Sequence, residues 1–402
     1  MNKKKKPDAD IVDRTYAYLK SKTGLFSASI IPYIRRFQRF VALPYAYFFL
    51  VNWKECTASP LRVLSDFIYI FFVLKDYPDY YTQFRFWDVD REEWKFYYGS
   101  FYNPYQKGRL RRNVQKKEYE IIFADKYVSH QLCKGVNLPE PEFLGYLEPG
   151  MNYRDSLHEM ISIHKKIIIK SSRGKGGKDI FLGLEKDNKI TISDKDTEYP
   201  VDDFELPCPV IVQKFVTQHP ELEAISRSVN TIRTETILTH ENDVLILGGF
   251  MRFGLNNTYV DNQSSGGLSV GIDLEKGVLK KYALDGRGVQ YTSHPDSGIV
   301  FENFKIPFWD EIVKLSENIQ KSFPYYKIIG PDIAITESGP VIIEINATPD
   351  HAGLEMDYGP TFKNEQVLLE FYRYGLLINK PIISVAKKLE KKNSYQHVAT
   401  IL

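Results

Sequence analysis

Two carboxylates and an amide are spaced so that they could meet at one point. Gly330-Pro331-Asp332-Ile333-Ala334-Ile335 runs into the tight turn Glu337-Ser338-Gly339-Pro340, and Val341-Ile342-Ile343-Glu344-Ile345-Asn346 follows. The segment therefore reads as a hairpin of Ile328–Thr336 and Val341–Asn346. Strand side chains alternate faces, so Glu344 and Asn346 point the same way. Closing the hairpin at Ser338-Gly339 sets Asp332 nearly opposite Glu344. Hard oxygen donors converging among isoleucines and valine suit Mg²⁺ shared with nucleotide phosphates. The plainer alternative is a hairpin whose polar face meets water, where facing acids would be mildly unfavourable.

A second cluster is Ile167-Ile168-Ile169-Lys170-Ser171-Ser172-Arg173-Gly174-Lys175-Gly176-Gly177-Lys178. An apolar strand delivers Lys170 into a glycine-rich turn. Glycines let backbone N–H groups close around phosphate oxygens, and lysines neutralise the charge. The GxxxxGK[ST] and GxGxxG patterns are both absent, so neither a P-loop nor a dinucleotide fingerprint is present. No Ser–His or Cys–His nucleophile stands out. His294 and His351 are either structural or aids to substrate binding and proton transfer.

The elements that position these groups follow from the pattern along the chain. A helix pattern from Asp125 to Gly135 precedes short β-rich runs at Lys166–Lys170, Asp179–Gly183 and Val210–Lys214. Longer strands at Thr234–Thr239 and Val244–Phe253 meet at the turn Glu241-Asn242-Asp243, and a helix spans about Phe308–Phe323. Residues 119–216 and 217–385 thus form two α+β units. Residues 386–402 read as a charged tail.

Residues 1–118 differ in chemistry. They hold 22 Lys+Arg against 12 Asp+Glu, while the remainder holds 31 against 39. They also contain 28 of the 56 aromatic residues. Runs such as Ile31–Phe40 read as amphipathic helix, so a mainly helical, basic and aromatic N-terminal domain is expected. Its aromatics are either core or a surface for an anionic membrane or acidic glycan. No nucleic-acid recognition motif accompanies the charge, and no nucleic-acid partner is expected. Cys56, Cys133 and Cys208 fit no disulfide framework or zinc spacing, which favours a reducing, cytoplasmic setting, at most peripheral at the inner face of the membrane. No apolar run approaches the ~20 residues of a spanning helix.

Taken in order, Ala124-Asp125-Lys126, Leu138-Pro139-Glu140-Pro141, Lys170 with its glycine-rich loop, Val210–Val216, Asn230–Arg233, Phe250–Arg252, Asp261–Gly267 and the Asp332/Glu344/Asn346 hairpin resemble the ATP-grasp superfamily. The likeness covers roughly Tyr119 to Gly359. It is nearest to the sugar-transfer-associated ATP-grasp branch, found with bacterial polysaccharide synthesis. The resemblance implies an ATP-grasp fold, two α+β subdomains clasping ATP, here preceded by the helical N-terminal domain in place of the usual Rossmann-like one. It implies ATP held by Lys126 and Lys170, by the loop with Ser172, Gly174, Gly176 and Gly177, and by Gln213, Lys214 and Val216 around adenine. Glu221 or Glu223 would reach the ribose, and Asp332, Glu344 and Asn346 would bind one or two Mg²⁺ ions. Arg252 and Lys170 would stabilise the transferring phosphoryl group, with Arg233 and Asn262 on the acceptor side. The implied activity joins a carboxylate to an amine through an acyl phosphate, with an amino acid or amine attached to an acidic sugar. A ligase for small amino acids or peptides and an ATP-grasp kinase are the alternatives. Where the glutamate-ligase branch has Arg-Ser-Asn this chain has Val260-Asp261-Asn262, so glutamate is not carried over as a substrate.

Overall fold

The computed structural model describes residues 33–100, 114–115, 119, 121–174, 179–194, 197–255 and 267–401. Residues 33–41 are helical, short helical turns follow at Leu43–Tyr45 and Ala46–Leu50, and helix α1 spans Pro60–Phe72. Ser59 caps α1 by accepting the Arg62 N–H, and Pro60 occupies the first turn, where its missing N–H costs nothing. Among the described residues the N-terminal region continues beyond α1 in short helical stretches at Pro78–Tyr80, Phe86–Asp88 and Arg91–Phe96. Some of its described aromatics are core: Trp94 and Tyr81 are each 1% exposed, and Trp87 and Phe67 are buried beside them.

The next unit is a six-stranded sheet flanked by helices. Helix α2 (Lys126–Gly135) comes first, then β1 (Phe143–Leu147), α3 (Tyr153–His164), β2 (Lys166–Ser171), β3 (Ile180–Lys186), β4 (Lys189–Ser193), β5 (Glu198–Pro200) and β6 (Val210–Lys214). The strand order is β1-β6-β2-β3-β4-β5, antiparallel throughout. Asp187 and Asn188 both take positive φ at the β3–β4 turn, the left-handed pair that matches the twist of a two-residue hairpin. Leu157 and Ile161 of α3 pack on Ile167, Ile169 and Val212 to make this sheet's core.

The larger sheet comprises β7 (Thr231–Leu238), β8 (Val244–Phe253), β9 (Leu268–Asp273), β10 (Val278–Leu284), β11 (Gln290–Tyr291), β12 (Ile328–Thr336) and β13 (Gly339–Asn346). Its order is β11-β10-β9-β8-β7-β12-β13, again antiparallel. Helix α4 (Trp309–Ser322) covers one face, with Ile312, Leu315 and Ile319 in the core. Helices α5 (His351–Tyr358), α6 (Glu365–Arg373) and α7 (Lys380–Ile401) follow. The other face lies against Leu354 of α5, Phe371 of α6 and Tyr98 of the N-terminal region.

Packing draws the boundaries differently from sequence texture. Helix α2 lies between residues 119 and 216, yet Phe123 and Cys133 belong to the core of the larger sheet, and Phe123 meets Phe323 and Tyr326 edge-on. Helix α7 runs through 386 without a break, and Ala386 is fully buried, so no separate tail begins there. The N-terminal region shares its core with the rest: Tyr98 and Val114 pack with Ile237, Phe362 and Phe371. Apolar periodicity marks which face is buried; it does not say against what.

Candidate active site

Asp332 pairs directly with Glu344 across β12 and β13, and Gly330 pairs with Asn346. Asp332 also pairs with Arg233 across β12 and β7. On the next strand Arg252 reaches over Thr231, to which its Nε donates at 3.0 Å. Asp332 shares a face with Glu344 because a bulge between Asp332 and Ile333 shifts the β12–β13 register by one residue, and Arg233 joins them as the partner of Asp332 on β7.

The Asp332 carboxylate is enclosed by cations. Arg233 Nε donates to Oδ1 at 2.6 Å and Nη2 to Oδ2 at 2.8 Å, a bidentate fork. Arg252 Nη2 lies 3.0 Å from Oδ1, and Asn346 Nδ2 donates to Oδ2 at 3.3 Å. Burial alone would raise the Asp332 carboxyl, but the two guanidinium groups outweigh it and hold it below the usual range. Glu344 is a third exposed and pairs with Lys126 Nζ at 3.1 Å.

Lys126 joins three pieces. Its N–H donates to the carbonyl of Ser172 at 2.8 Å, and its Nζ donates to the Gly174 carbonyl at 2.8 Å while pairing with Glu344. It opens α2, whose N-cap Asp125 accepts from Tyr127 and Val128 N–H and holds Arg173 Nε at 3.0 Å. The described part of the glycine-rich loop is therefore tied to α2 on both sides. Ser172 N–H is spent on the Pro209 carbonyl, so it is not a free phosphate donor. Gly176, Gly177 and Asn262 lie outside the described residues.

Lys170 projects from β2, buried, with its Nζ 3.3 Å from Gln213 Oε1. Desolvation pushes its ammonium down to about 8, opposed by the carboxylate of Glu344 and assisted by the charge of Lys126. Lys170 is cationic below about pH 8 and loses its charge above it. In the free enzyme kcat/KM for ATP should fall as pH rises past that point, and Lys170→Arg should remove this alkaline limb. A wild-type profile flat from pH 7 to 9.5 would contradict the role given to Lys170.

The nucleotide-edge residues divide. Lys214 N–H already donates to the Glu142 carbonyl at 2.9 Å, and Phe215 N–H to Lys166 at 3.3 Å, so the Lys214 amide does not face a base. Gln213 is buried beside Lys170, and Val216 lies just past the strand end. Glu221 and Glu223 are exposed on the turn Pro220–Glu223, with Leu222 between them buried in the core.

Some residues with a stake in the cleft were given no role from sequence. Glu140 lines it beside Lys126, Ser129, Gln213 and Glu344. Burial pushes its carboxyl up to about 8, against the pull of Lys170, and its Oε2 meets His130 Nδ1 at 2.9 Å. An acid between two prolines reads as loop; the strand β1 that follows was the signal available. The Pro139 carbonyl accepts from Ile342 N–H at 2.8 Å, tying the same linker to β13. Both histidines have internal roles. His294 Nε2 meets the Gly254 carbonyl at 3.0 Å, and His351 bridges Glu235 at 2.7 Å and Thr361 at 2.9 Å within the core.

With two antiparallel sheets flanking a cleft of lysines, arginines and paired acids, the chain can be compared with known proteins. A family model described as sugar-transfer associated ATP-grasp matches residues 105–369, well over half of the 402-residue chain. The chain belongs to that ATP-grasp family. Its two sheets are the two subdomains of the ATP-grasp fold. No curated protein matches it. Among solved structures, phosphoribosylamine–glycine ligase from Thermotoga maritima is similar at 12% identity and a TM-score of 0.40, over 66% of this chain and 57% of that one. D-Alanine–D-alanine ligase from Bacillus anthracis is similar at 14% identity and a TM-score of 0.36, over 68% and 70%. The ADP complex of N5-carboxyaminoimidazole ribonucleotide synthetase is similar at 10% identity and a TM-score of 0.36, over 57% of this chain. This ATP-grasp chain spans 46% of that synthetase, less than half its length.

ATP-grasp enzymes use ATP with Mg²⁺, and the donor set here can be tested for fit. Glu344 and Asn346 share a face and offer hard oxygens, and Glu344 is partly open to solvent. A carboxylate has about four acceptor positions, and Asp332 already receives four contacts from Arg233, Arg252 and Asn346. The set fits a magnesium ion held through Glu344 and Asn346, with Asp332 joining as its longest contact, to Asn346, gives way.

Proposed function

We propose that this ATP-grasp protein is an ATP- and Mg²⁺-dependent carboxylate–amine ligase that attaches an amino acid or amine to an acidic sugar in polysaccharide or capsule biosynthesis. The observation that carries the reading is the convergence of Lys126, Lys170, Arg233 and Arg252 on Asp332 and Glu344 between the two sheets. Lys126 and Arg252 are poised to exchange carboxylate partners for phosphate oxygens, with Lys170 buried beside them. Membership of a sugar-transfer associated family supports the sugar as acceptor. Three free thiols, Cys56, Cys133 and Cys208, accord with a reducing cytoplasm.

In this reading a substrate carboxylate oxygen attacks the γ-phosphorus. The bond from that phosphorus to the bridging oxygen breaks, and ADP leaves with the electron pair. Magnesium, when bound, supplies charge compensation between the phosphates. Arg252 is released from Asp332 to meet the transferring phosphoryl group, while Lys126 and Lys170 hold the leaving oxygens. Arg233 keeps Asp332 anionic and in place. The amine nitrogen then attacks the acyl carbon, inorganic phosphate departs, and the amine proton is lost to solvent.

The test is an ADP-release assay against amino acids and amines, each with and without uronic acids. Added hydroxylamine should be captured as a hydroxamate with one ADP per product. A stable phosphorylated acceptor with no free phosphate would replace ligation with kinase chemistry.

A further inference from the structure

Exposed large apolar side chains are not spread evenly over this molecule. Among the described residues, thirteen of twenty-one fall between Tyr33 and Val73. On α1, Leu61, Leu64, Ile68 and Phe72 are 80%, 48%, 51% and 54% exposed, one helical stripe at intervals of three and four. The opposite stripe, Val63, Phe67 and Ile70, is core. The preceding helical segment adds Phe37, Phe40 and Val41, and the turn after it adds Phe48 and Phe49, 64% and 65% exposed. The Phe40 and Phe72 rings lie 6.2 Å apart, so the two faces are continuous. A contiguous apolar patch above roughly a few hundred Å² is rare on a protein that meets only water.

Charge around the patch is mainly positive. From Tyr33 to Val73 the basic residues are Arg35, Arg36, Arg39, Lys54 and Arg62, and the acids are Glu55 and Asp66. Asp66 is buried and held by Arg91, and Glu55 lies 3.8 Å from Arg85. Arg36 folds over the Phe71 ring at 4.6 Å and Arg39 over Tyr77 at 5.0 Å, so the cations sit at the margin of the apolar face rather than on it. α1 is 13 residues long, a rise of about 20 Å, against the ~30 Å of a bilayer core. Among the described residues no helix is long and apolar enough to cross a membrane. The geometry is that of a face lying in an interface plane.

We propose that the face formed by residues 33–50 and α1 seats this protein on an anionic phospholipid bilayer, by shallow insertion of its phenylalanines and leucines with the arginines at headgroup level. The N-terminal region also touches the catalytic unit: Tyr80 donates its hydroxyl to Asp350 Oδ2 at 2.8 Å, four residues beyond Asn346. Seating therefore fixes the active-site rim relative to the lipid surface.

Flotation of the full chain with vesicles decides the matter. On phosphatidylcholine vesicles containing phosphatidylglycerol at 0.1 M salt, most of the protein should float. At 1 M salt binding should fall several-fold, to the level seen on phosphatidylcholine alone, and not to zero, because insertion is not screened. Phe48→Asp combined with Phe49→Asp should lower partitioning at least tenfold, and Leu61→Asp with Ile68→Asp should do the same. An unchanged ATP-induced rise in melting temperature would show that these variants are folded. Absence of wild-type flotation, complete loss at 1 M salt, unimpaired binding of both folded variants, or a dimer in light scattering that the substitutions dissociate would each overturn the proposal.

Discussion

Replacing Glu344 with glutamine should lower ATP turnover by about a hundred- to a thousand-fold or more while the protein remains folded. The substitution keeps size and one oxygen but removes the charge that faces Lys126 at 3.1 Å and that a magnesium ion would take. Because Glu344 is a third exposed, its ion pair contributes little to stability, on the order of 0–1 kcal/mol. Loss of an aimed electrostatic group in phosphoryl transfer is worth about 3–4 kcal/mol, which is where the rate effect arises. Single-turnover ADP formation and urea unfolding, measured on the same preparation, separate the two. Turnover within a factor of three of wild type would remove Glu344 from the reaction.

Asp332→Ala should do the opposite to the balance, with stability failing along with activity. It leaves Arg233 and Arg252 facing one another with their shared anion gone, at side-chain exposures of 11% and 14%. Breaking a buried pair from one side costs about 3–5 kcal/mol, since the stranded charge stays desolvated. Urea midpoints should register that loss at pH 7. The sign with pH follows from the depressed Asp332 carboxyl. Its contribution is complete above the unfolded value, about 3.9, and vanishes as pH falls through the folded one. Wild type and variant should therefore converge only in acid, below about pH 4. A deficit under 1 kcal/mol at pH 7 would mean that the two arginines find other partners.

The hairpin could be read from the chain because everything it needs is local. Period two and the turn at Glu337-Ser338 fix the pairing from Thr336–Gly339 to Ile333–Ile342, and a bulge between Asp332 and Ile333, which the alternation does not announce, sets Asp332 opposite Glu344. The partners of Asp332 could not be read that way. Arg233 lies 99 positions away and arrives through strand order, which alternation does not encode. Glu140 was visible as a residue but not as part of the site, since only the cleft that buries it makes an acid between prolines consequential. Helices α5, α6 and α7 went unmarked because their apolar residues answer to the sheet and the N-terminal region together. The aromatic excess of residues 1–118 allowed two meanings, core and surface. Trp94 and Tyr81 took the first, whereas Phe48 and Phe49 stand exposed.

Glu355 of α5 is 1% exposed, and its carboxylate accepts from the backbone N–H groups of Tyr98 and Gly99 at 2.8 and 3.1 Å. Gln115 donates in turn to the Ile328 carbonyl at 3.0 Å and to that of Ala347. A fragment that began at Lys126 would lack the N–H donors that Tyr98 and Gly99 give Glu355. Recombination that delivered the ATP-binding half to a new partner would strand an anion in the core and open the packing around Phe371. The leading segment and the body that follows it are accordingly one folding unit across this seam.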